Sequence, residues 1–398
     1  MRDLRHLFYF ENLLQEDNNE LVRKALADGL VAVGNVCSFI PEVLLSLPGC
    51  FTVRLRAPRT SSMEIGTYYL TSMLCEYCRA MLERAMEGGY KFLDCILAPD
   101  ACSQMNRCVE NIELLKLCDK DKFFITHADV PMKADENGLN HYVNQMKLKV
   151  LNPLKEVYEI DISDEAIRKA VQQHNEISRL ITEIGEYRKL ENPVITGYEF
   201  AVLTTATYCA PKNLIVDKLY EVLEDLKTRT PDEKNKYRAK VVMVGSEIDD
   251  PDFIKLVEES GALVVADRFC FGSFPGRQEI ILNDEEDALT QVCRYYMYGG
   301  QCPRYMNTAK INERKDYIDN LAKEFNADGI IFEQIKFCDY WGYERASGSY
   351  IMREEYGYPV LSIDRPYVVG ASGQIRTRVQ AFVESIEIKK IQRGESRE

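Results

Sequence analysis

The chain has 398 residues, 46% of them hydrophobic and 28% charged, which is a globular composition too long for one ordinary core. Its 50 basic residues face 63 acidic ones, for a net charge of −13, and it has no basic block, which argues against a nucleic-acid binder. No apolar run is long enough to cross a bilayer, and the charged opening MRDLRHLFYFENLLQEDNNE lacks the apolar core of an export signal, so a cytoplasmic protein is expected.

In chain order, GLVAVGNV (29–36) reads as a buried strand. PEVLLSL (41–47) reads as a short helix opening on proline, and FTVRLR (51–56) as a second strand. A helix over 75–88 ends at Gly88-Gly89. It is followed by a strand at KFLDCILAP (91–99), a helix over 103–116 and a strand at KFFITHA (122–128). Residues 134–192 are polar with apolar positions at helical spacing, and Ser163 with Glu165, or Asp161 with Asp164, is placed to cap a long helix there. A second alternating unit begins at AKVVMVG (239–245). It continues with a helix over 251–260, a strand at ALVVADRF (262–269) and helices over 285–298 and 311–326. It closes with a strand at DGIIFEQIKF (328–337), a helix over 343–356, a strand at YPVLSID (358–364) and a helix over 374–391. The pattern predicts an α/β protein with two doubly wound parallel-sheet domains of flavodoxin or Rossmann type, at 1–133 and 236–398, and a helical insert at 134–235. The two α/β halves look alike in plan.

Thirteen cysteines, an odd number, in a chain without an export signal do not suggest a disulfide framework. Open parallel sheets bind ligands at the carboxyl ends of their strands. Cys102 and Cys338 each lie just beyond a predicted strand, one in each α/β unit. Cys75 opens a predicted helix, where free N–H groups and the helix dipole favour a thiolate. Three sequence-distant thiols are thereby expected at a cleft between two domains. Cys75-x2-Cys78 with Cys102-x5-Cys108 makes a poor zinc pattern, and a redox dithiol at Cys75 and Cys78 lacks its usual preceding strand. An iron–sulfur cluster on scattered cysteines is the remaining chemistry, and composition does not decide among the three. Cys78 is expected to pack inward. Cys37, Cys50, Cys95, Cys108, Cys118, Cys209 and Cys293 are expected in the core.

The segments LCEYCRAMLERAMEGGYKFLDCILAPDAC (74–102), VVADRFCFGS (264–273), DGIIFEQIKFCDYWGYE (328–344) and GQIRTRVQAFVE (373–384) resemble the 2-hydroxyacyl-CoA dehydratase family. That family also contains benzoyl-CoA reductase subunits and double-cubane cluster proteins. The resemblance runs from about residue 29 to residue 385 and is weakest in the middle helices.

The resemblance implies a 4Fe–4S cluster on Cys75, Cys102 and Cys338, and a paralogous subunit as partner. It also implies an ATP-dependent iron–sulfur activator that injects one electron. An acyl-CoA thioester would be reduced to a ketyl radical anion that expels its 2-hydroxyl group. The need for a metal centre is chemical, because an unactivated α-hydroxyl is a poor leaving group and acid–base help of about 10²–10⁴-fold does not suffice. Cys270 and Cys302 match positions where some members carry cysteine. They bring in a second implication, an 8Fe–9S double cubane on Cys75, Cys102, Cys270, Cys302 and Cys338, with Cys78 or Cys108 as the sixth ligand, in a homodimer that reduces small molecules. A third is a non-catalytic electron-transfer or structural subunit.

Arg54, Arg56 and Arg59 could meet coenzyme A phosphates, or simply belong to a solvated loop. Glu42 is either a base or a helix-terminal carboxylate. Gly272-Ser273 either offers N–H groups to a ligand or makes a turn. The four histidines show no metal spacing.

Overall fold

The computed structural model describes residues 3–118, 120–231, 237–273, 278–368 and 372–392. The helices α1 (Leu7–Leu13) and α2 (Glu20–Ala27) precede the first strand. Asn19 caps α2 by accepting from the N–H groups of Leu21 and Val22. The first half then runs β1 (Val31–Asn35), a 3₁₀ turn at Glu42–Leu45, β2 (Cys50–Arg54), α3 (Glu64–Leu70), α4 (Glu76–Met86), β3 (Cys95–Asp100), α5 (Ser103–Leu114) and β4 (Phe124–Asp129). The helices α6 (Glu136–Met146), α7 (Asn152–Tyr158), α8 (Asp164–Glu186), α9 (Gly197–Cys209) and α10 (Lys212–Leu226) follow. The second half runs β5 (Ala239–Val244), α11 (Pro251–Glu259), β6 (Ala262–Arg268), α12 (Ala288–Tyr298), α13 (Thr308–Glu324), β7 (Gly329–Ile335), α14 (Asp339–Glu354), β8 (Val360–Arg365) and α15 (Ser372–Gln392).

Two four-stranded sheets result, and all their pairings are parallel. Their orders are β2-β1-β3-β4 and β6-β5-β7-β8, so the likeness read in the sequence is one of topology. The doubly wound α/β class is therefore observed. The strands other than β4 and β8 are buried, mostly apolar runs, as expected for sheets covered on both faces, whereas the edge strands β4 and β8 are only half-buried over much of their length.

Several helix boundaries have local causes. Gly88 takes φ 82 just past α4, and the N–H groups of Gly88 and Gly89 close on Ala85 and Arg84, which ends the helix at the predicted place. Ser163 caps α8 through the Ala166 N–H, and Asp161 supports it by accepting from Ser163 N. Helix α14 begins four residues before the predicted 343, because Phe337 turns the chain at φ 66 and Cys338 already serves as N-cap. The helices α1, α2 and α3 are additions to the predicted elements.

Helix α9 opens with a Thr196–Glu199 capping box, and nearly every residue of it is buried. It packs on β2 of one sheet and β6 of the other. One apolar cluster runs from the first sheet through α9 and α10 to Phe271, Ile335 and Tyr367 of the second half. The middle helices thus complete cores around the sheets.

Gly66 marks the closest helix contact near the cleft. A Cβ there would drive into the Arg79 carbonyl oxygen of α4, and Gly66 N donates to Glu83. Gly66→Ala is expected to push α3 off α4 and cost about 1–3 kcal/mol, read as a lower urea midpoint with an unchanged slope.

Candidate cofactor site

In each sheet the strand order reverses at the junction of its first and third strands, and such switch points open a crevice at the carboxyl ends. In the first sheet β1 runs out to Cys37 and β3 to Cys102. In the second, β5 leads to Ser246-Glu247, β6 to Cys270 and β7 to Cys338.

Cys75, Cys102 and Cys338 are the N-caps of α4, α5 and α14, so three helix N-termini meet here. None of the three side chains makes a regular capping hydrogen bond to its own helix. Gln104 ties the three segments together. Its Oε1 accepts from Cys75 N at 2.5 Å, and its Nε2 donates to Phe337 O at 3.0 Å and to Asp339 Oδ2 at 2.7 Å. Glu76 N donates to Lys336 O at 3.2 Å, and Tyr340 Oη donates to Ala101 O at 3.4 Å. Two non-glycine residues upstream of these thiols adopt the left-handed region, Thr71 at φ 64 and Phe337 at φ 66. Strain of this kind, about 1–3 kcal/mol for each residue, gathers at sites the surrounding structure over-determines.

Hydrogen bonds from the Cys338 and Cys78 thiols hold the Cys75 thiol well below the usual thiol range, against burial. The N–H groups of Cys78 and Tyr77 at the helix start assist. Sharing with Cys75, reinforced by burial, pushes Cys338 and Cys78 well up. Burial, then the nearby Cys75, raises Cys102 to about 11, while the Met105 and Gln104 N–H groups oppose the shift. Cys75 is buried, whereas Cys102 and Cys338 are half-buried at the cleft.

A second group of thiols lies near the first. Cys37, Cys270 and Cys302 are close enough that each thiolate would destabilise the next, and the charge on Cys37 also reaches Cys102. Burial pushes Cys302 up to about 12 and raises Cys37 and Cys270 as well. Cys37 is half-buried and packs against two core clusters, in keeping with the expectation of a core residue, while its charge also reaches these thiols. It ends a strand as Cys102 and Cys338 do, and that same strand-end rule would have found it. Cys270 and Cys302, which the resemblance brought in, lie near each other and near Cys37.

Arg54 spans the cleft. Its Nη1 donates to Cys270 O at 3.0 Å, its Nη2 to both oxygens of Glu247 at 2.9 and 3.0 Å, and its guanidinium stacks on the Phe271 ring at 4.5 Å. Burial lifts the Glu247 carboxyl to about 7 even with Arg54 opposing. The sequence offers no sign of Glu247. Arg56 donates from Nε and Nη2 to Asp249 O at 3.0 and 2.7 Å, and from Nη1 to Leu14 O at 3.2 Å. Both arginines are buried, which corrects the reading of them as part of a solvated loop. Arg59 is exposed.

Glu42 is buried beside His174 at 3.2 Å and Lys212 at 3.4 Å, away from the thiols. The N–H groups of Gly272 and Ser273 are spent on Phe269 O and Asp267, as in an ordinary turn. Cys78 and Cys108 lie in the core cluster, as do Cys118 and Cys209. Among the described residues, no three His, Cys, Asp or Glu side chains are arranged to hold a single metal ion, so the zinc arrangement is not built. Ligands of a polynuclear cluster bind different metal atoms and stand farther apart than the hydrogen-bonded Cys75 and Cys338 thiols, so a cluster here would have to part that pair.

The surroundings fit an anionic, thiolate-ligated group. Besides the three helix N-termini, the buried Nε atoms of Arg54 and Arg304 have no hydrogen-bond acceptor among the described residues. Leaving such donors unmet costs about 1–3 kcal/mol each, which an anionic occupant would offset.

A family model described as 2-hydroxyglutaryl-CoA dehydratase, D-component, matches residues 37–386. The chain is 24% identical to the (R)-phenyllactyl-CoA dehydratase beta subunit of Clostridium sporogenes, over 95% of this chain and 97% of that subunit. It is 22% identical to (R)-2-hydroxyglutaryl-CoA dehydratase, subunit beta, of Acidaminococcus fermentans, over 92% and 95% of the two chains. A benzoyl-CoA reductase subunit of Thauera aromatica is 22% identical, over 81% and 82%.

Proposed function

Because this chain belongs to the 2-hydroxyglutaryl-CoA dehydratase D-component family, we propose that it is the iron–sulfur subunit of a 2-hydroxyacyl-CoA dehydratase, with a 4Fe–4S cluster on Cys75, Cys102 and Cys338. The family model and the phenyllactyl-CoA and 2-hydroxyglutaryl-CoA relatives are named as dehydratases, so the enzyme is of the hydro-lyase kind. The relatives are named as beta subunits, which implies a partner subunit. The activator is read as an ATP-dependent iron–sulfur protein and the substrate as an (R)-2-hydroxyacyl-CoA. No helix among the described residues is long and apolar enough to cross a membrane.

The observation that supports this reading is the meeting of three sequence-distant thiols, each at the head of its own helix, in one cleft between two sheets. When bound, such a cluster would lend one electron at low potential to the thioester and take it back once the 2-hydroxyl and a β-proton had left as water, so that the reaction would be redox-neutral overall. The chain's own residues prepare the place. Gln104 fixes the spacing of the Cys75, Cys102 and Cys338 segments. Three helix N-termini favour negative charge. Arg54 and Arg56 bind the two halves over the cleft and exclude water from it.

The test is turnover under strict anaerobiosis with (R)-phenyllactyl-CoA and (R)-2-hydroxyglutaryl-CoA as probes. Formation of the 2-enoyl-CoA is expected only when a partner subunit, an activator and ATP are present. Iron-replete protein that releases no water from either thioester, nor from shorter-chain analogues, would remove the dehydratase reading.

The second thiol group favours another reading, an 8Fe–9S double cubane in a homodimer that reduces small molecules, with Cys78 or Cys108 as the sixth ligand and Cys37 as a further candidate. Cys270→Ala separates the two. Under the single-cluster reading the variant keeps about four irons per chain, as wild type does. Under the double-cubane reading wild type holds about eight and the variant loses a large share of them.

A further inference from the structure

A buried cationic nest lies behind the second thiol group. Arg268 at the end of β6 and Arg314 and Lys315 of α13 all point to Glu344 of α14, and all four side chains are at most 1% exposed. Lys315 Nζ stands 2.6 Å from Glu344 Oε1, Arg314 Nη2 3.1 Å from Oε2, and Arg268 Nη1 3.7 Å from Oε1. Three cations thus converge on one carboxylate.

The nest is joined to the elements that carry the thiols. Arg268 Nε donates to Gln301 Oε1 at 2.9 Å and its Nη2 to Gln301 O at 2.5 Å, immediately before Cys302. Arg314 Nη1 donates to Tyr305 O at 2.7 Å, and Tyr305 N closes the same loop on Cys302 O at 3.0 Å. Arg268 lies two residues before Cys270 and stacks on Trp341 of the helix headed by Cys338, at 5.6 Å. Burial lowers Lys315 to about 8 even though Glu344 opposes the shift. An excess of like charge out of water is unfavourable unless something anionic sits near it. In a low-dielectric interior that charge acts well beyond contact distance.

We propose that Arg268, Arg314 and Lys315, gathered on Glu344, are positioning residues that hold the Cys302 loop and supply a fixed positive charge that raises the reduction potential of the cleft's iron–sulfur centre. This inference rests on the cluster reading above. Arg268 and Arg314 do the holding through backbone contacts. Lys315 bonds to the Glu344 carboxylate and contributes charge alone. With the cluster absent, the nest is a liability to the fold. With it present, the two charges offset each other.

Three variants test this in the anaerobically purified protein by redox titration of the cluster signal. Lys315→Met leaves Glu344 paired with two arginines, so it should fold, keep its iron and titrate at a more negative midpoint potential than wild type. Glu344→Gln removes the carboxylate the three cations share and should shift the midpoint the opposite way. Lys315→Arg keeps the charge and should titrate as wild type. Stripped of iron, Lys315→Met should melt at or above the wild-type temperature. Opposite shifts are what a merely structural role does not produce. Iron-replete Lys315→Met and Glu344→Gln with unchanged midpoints would overturn the inference while leaving the cluster reading intact. Iron-free wild type would overturn both. If Lys315→Met misfolds, the shift in Glu344→Gln decides alone.

Discussion

Cys338→Ala is expected to purify without most of its iron and with dehydratase activity at background, while its polypeptide remains folded. Cys338 heads α14 and is half-buried, so removing its sulfur opens little space. The iron-free fold should lose no more than about 1 kcal/mol. The cost falls on ligation. The resemblance implies three thiolates for the cluster, and Cys338 is the one contributed by the second sheet, across from Cys75 and Cys102. The neighbouring ties, Gln104 to Phe337 O and Cys338 N to Ile335 O, use backbone atoms and survive the substitution. Circular dichroism and denaturant midpoints of iron-free wild type and variant should therefore nearly coincide. Their iron, sulfide and visible absorption after anaerobic purification should differ sharply. A Cys338→Ala protein with full iron content would remove Cys338 from the ligand set.

Arg54→Met carries the second large expected effect, and this one is on stability. Arg54 ends β2 of the first sheet, yet its hydrogen bonds go to Cys270 O and Glu247 of the second half, 216 and 193 residues away in sequence. Methionine would preserve the contact with Phe271 but strand the Glu247 carboxylate, which is mostly buried. Breaking one side of a buried pair typically costs about 3–5 kcal/mol, because the remaining charge has no partner. The unfolding midpoint should fall accordingly. Arg54→Met combined with Glu247→Gln should regain part of the loss, since the two residues share one interaction. If the double variant were less stable than the single by the full cost of a second lesion, the clamp would not be an ion pair in energetic terms.

What can be read from the sequence divides along physical lines. Both sheets are legible because parallel strands buried on both faces are continuous apolar runs, and the helix after Cys75 is legible because Gly88 takes the left-handed turn that ends it. Cys102 and Cys338 can be singled out by the strand-end rule alone. Cys37 satisfies the same rule but is masked, because a cysteine after an apolar strand also reads as a small core residue. Arg54 and Arg56 mislead for a different reason. RLRAPRTSS looks like a strand entering a polar loop, and no local pattern reveals partners on the far side of the molecule. Glu247 and the nest around Glu344 are hidden in the same way, since charged residues in α13 and α14 look like ordinary solvated helix faces until the fold buries them. Helix α9 is apolar on nearly all sides because it lies between two sheets, which periodicity cannot distinguish from a buried strand region.

The most direct test of the central claim, that thiols from both sheets jointly hold an inorganic centre, is iron and acid-labile sulfide analysis of the wild-type protein purified without oxygen. The account predicts brown protein with matched iron and sulfide, at about four irons per chain or about eight. Colourless protein with no sulfide, from cells that load iron–sulfur clusters normally, would contradict it.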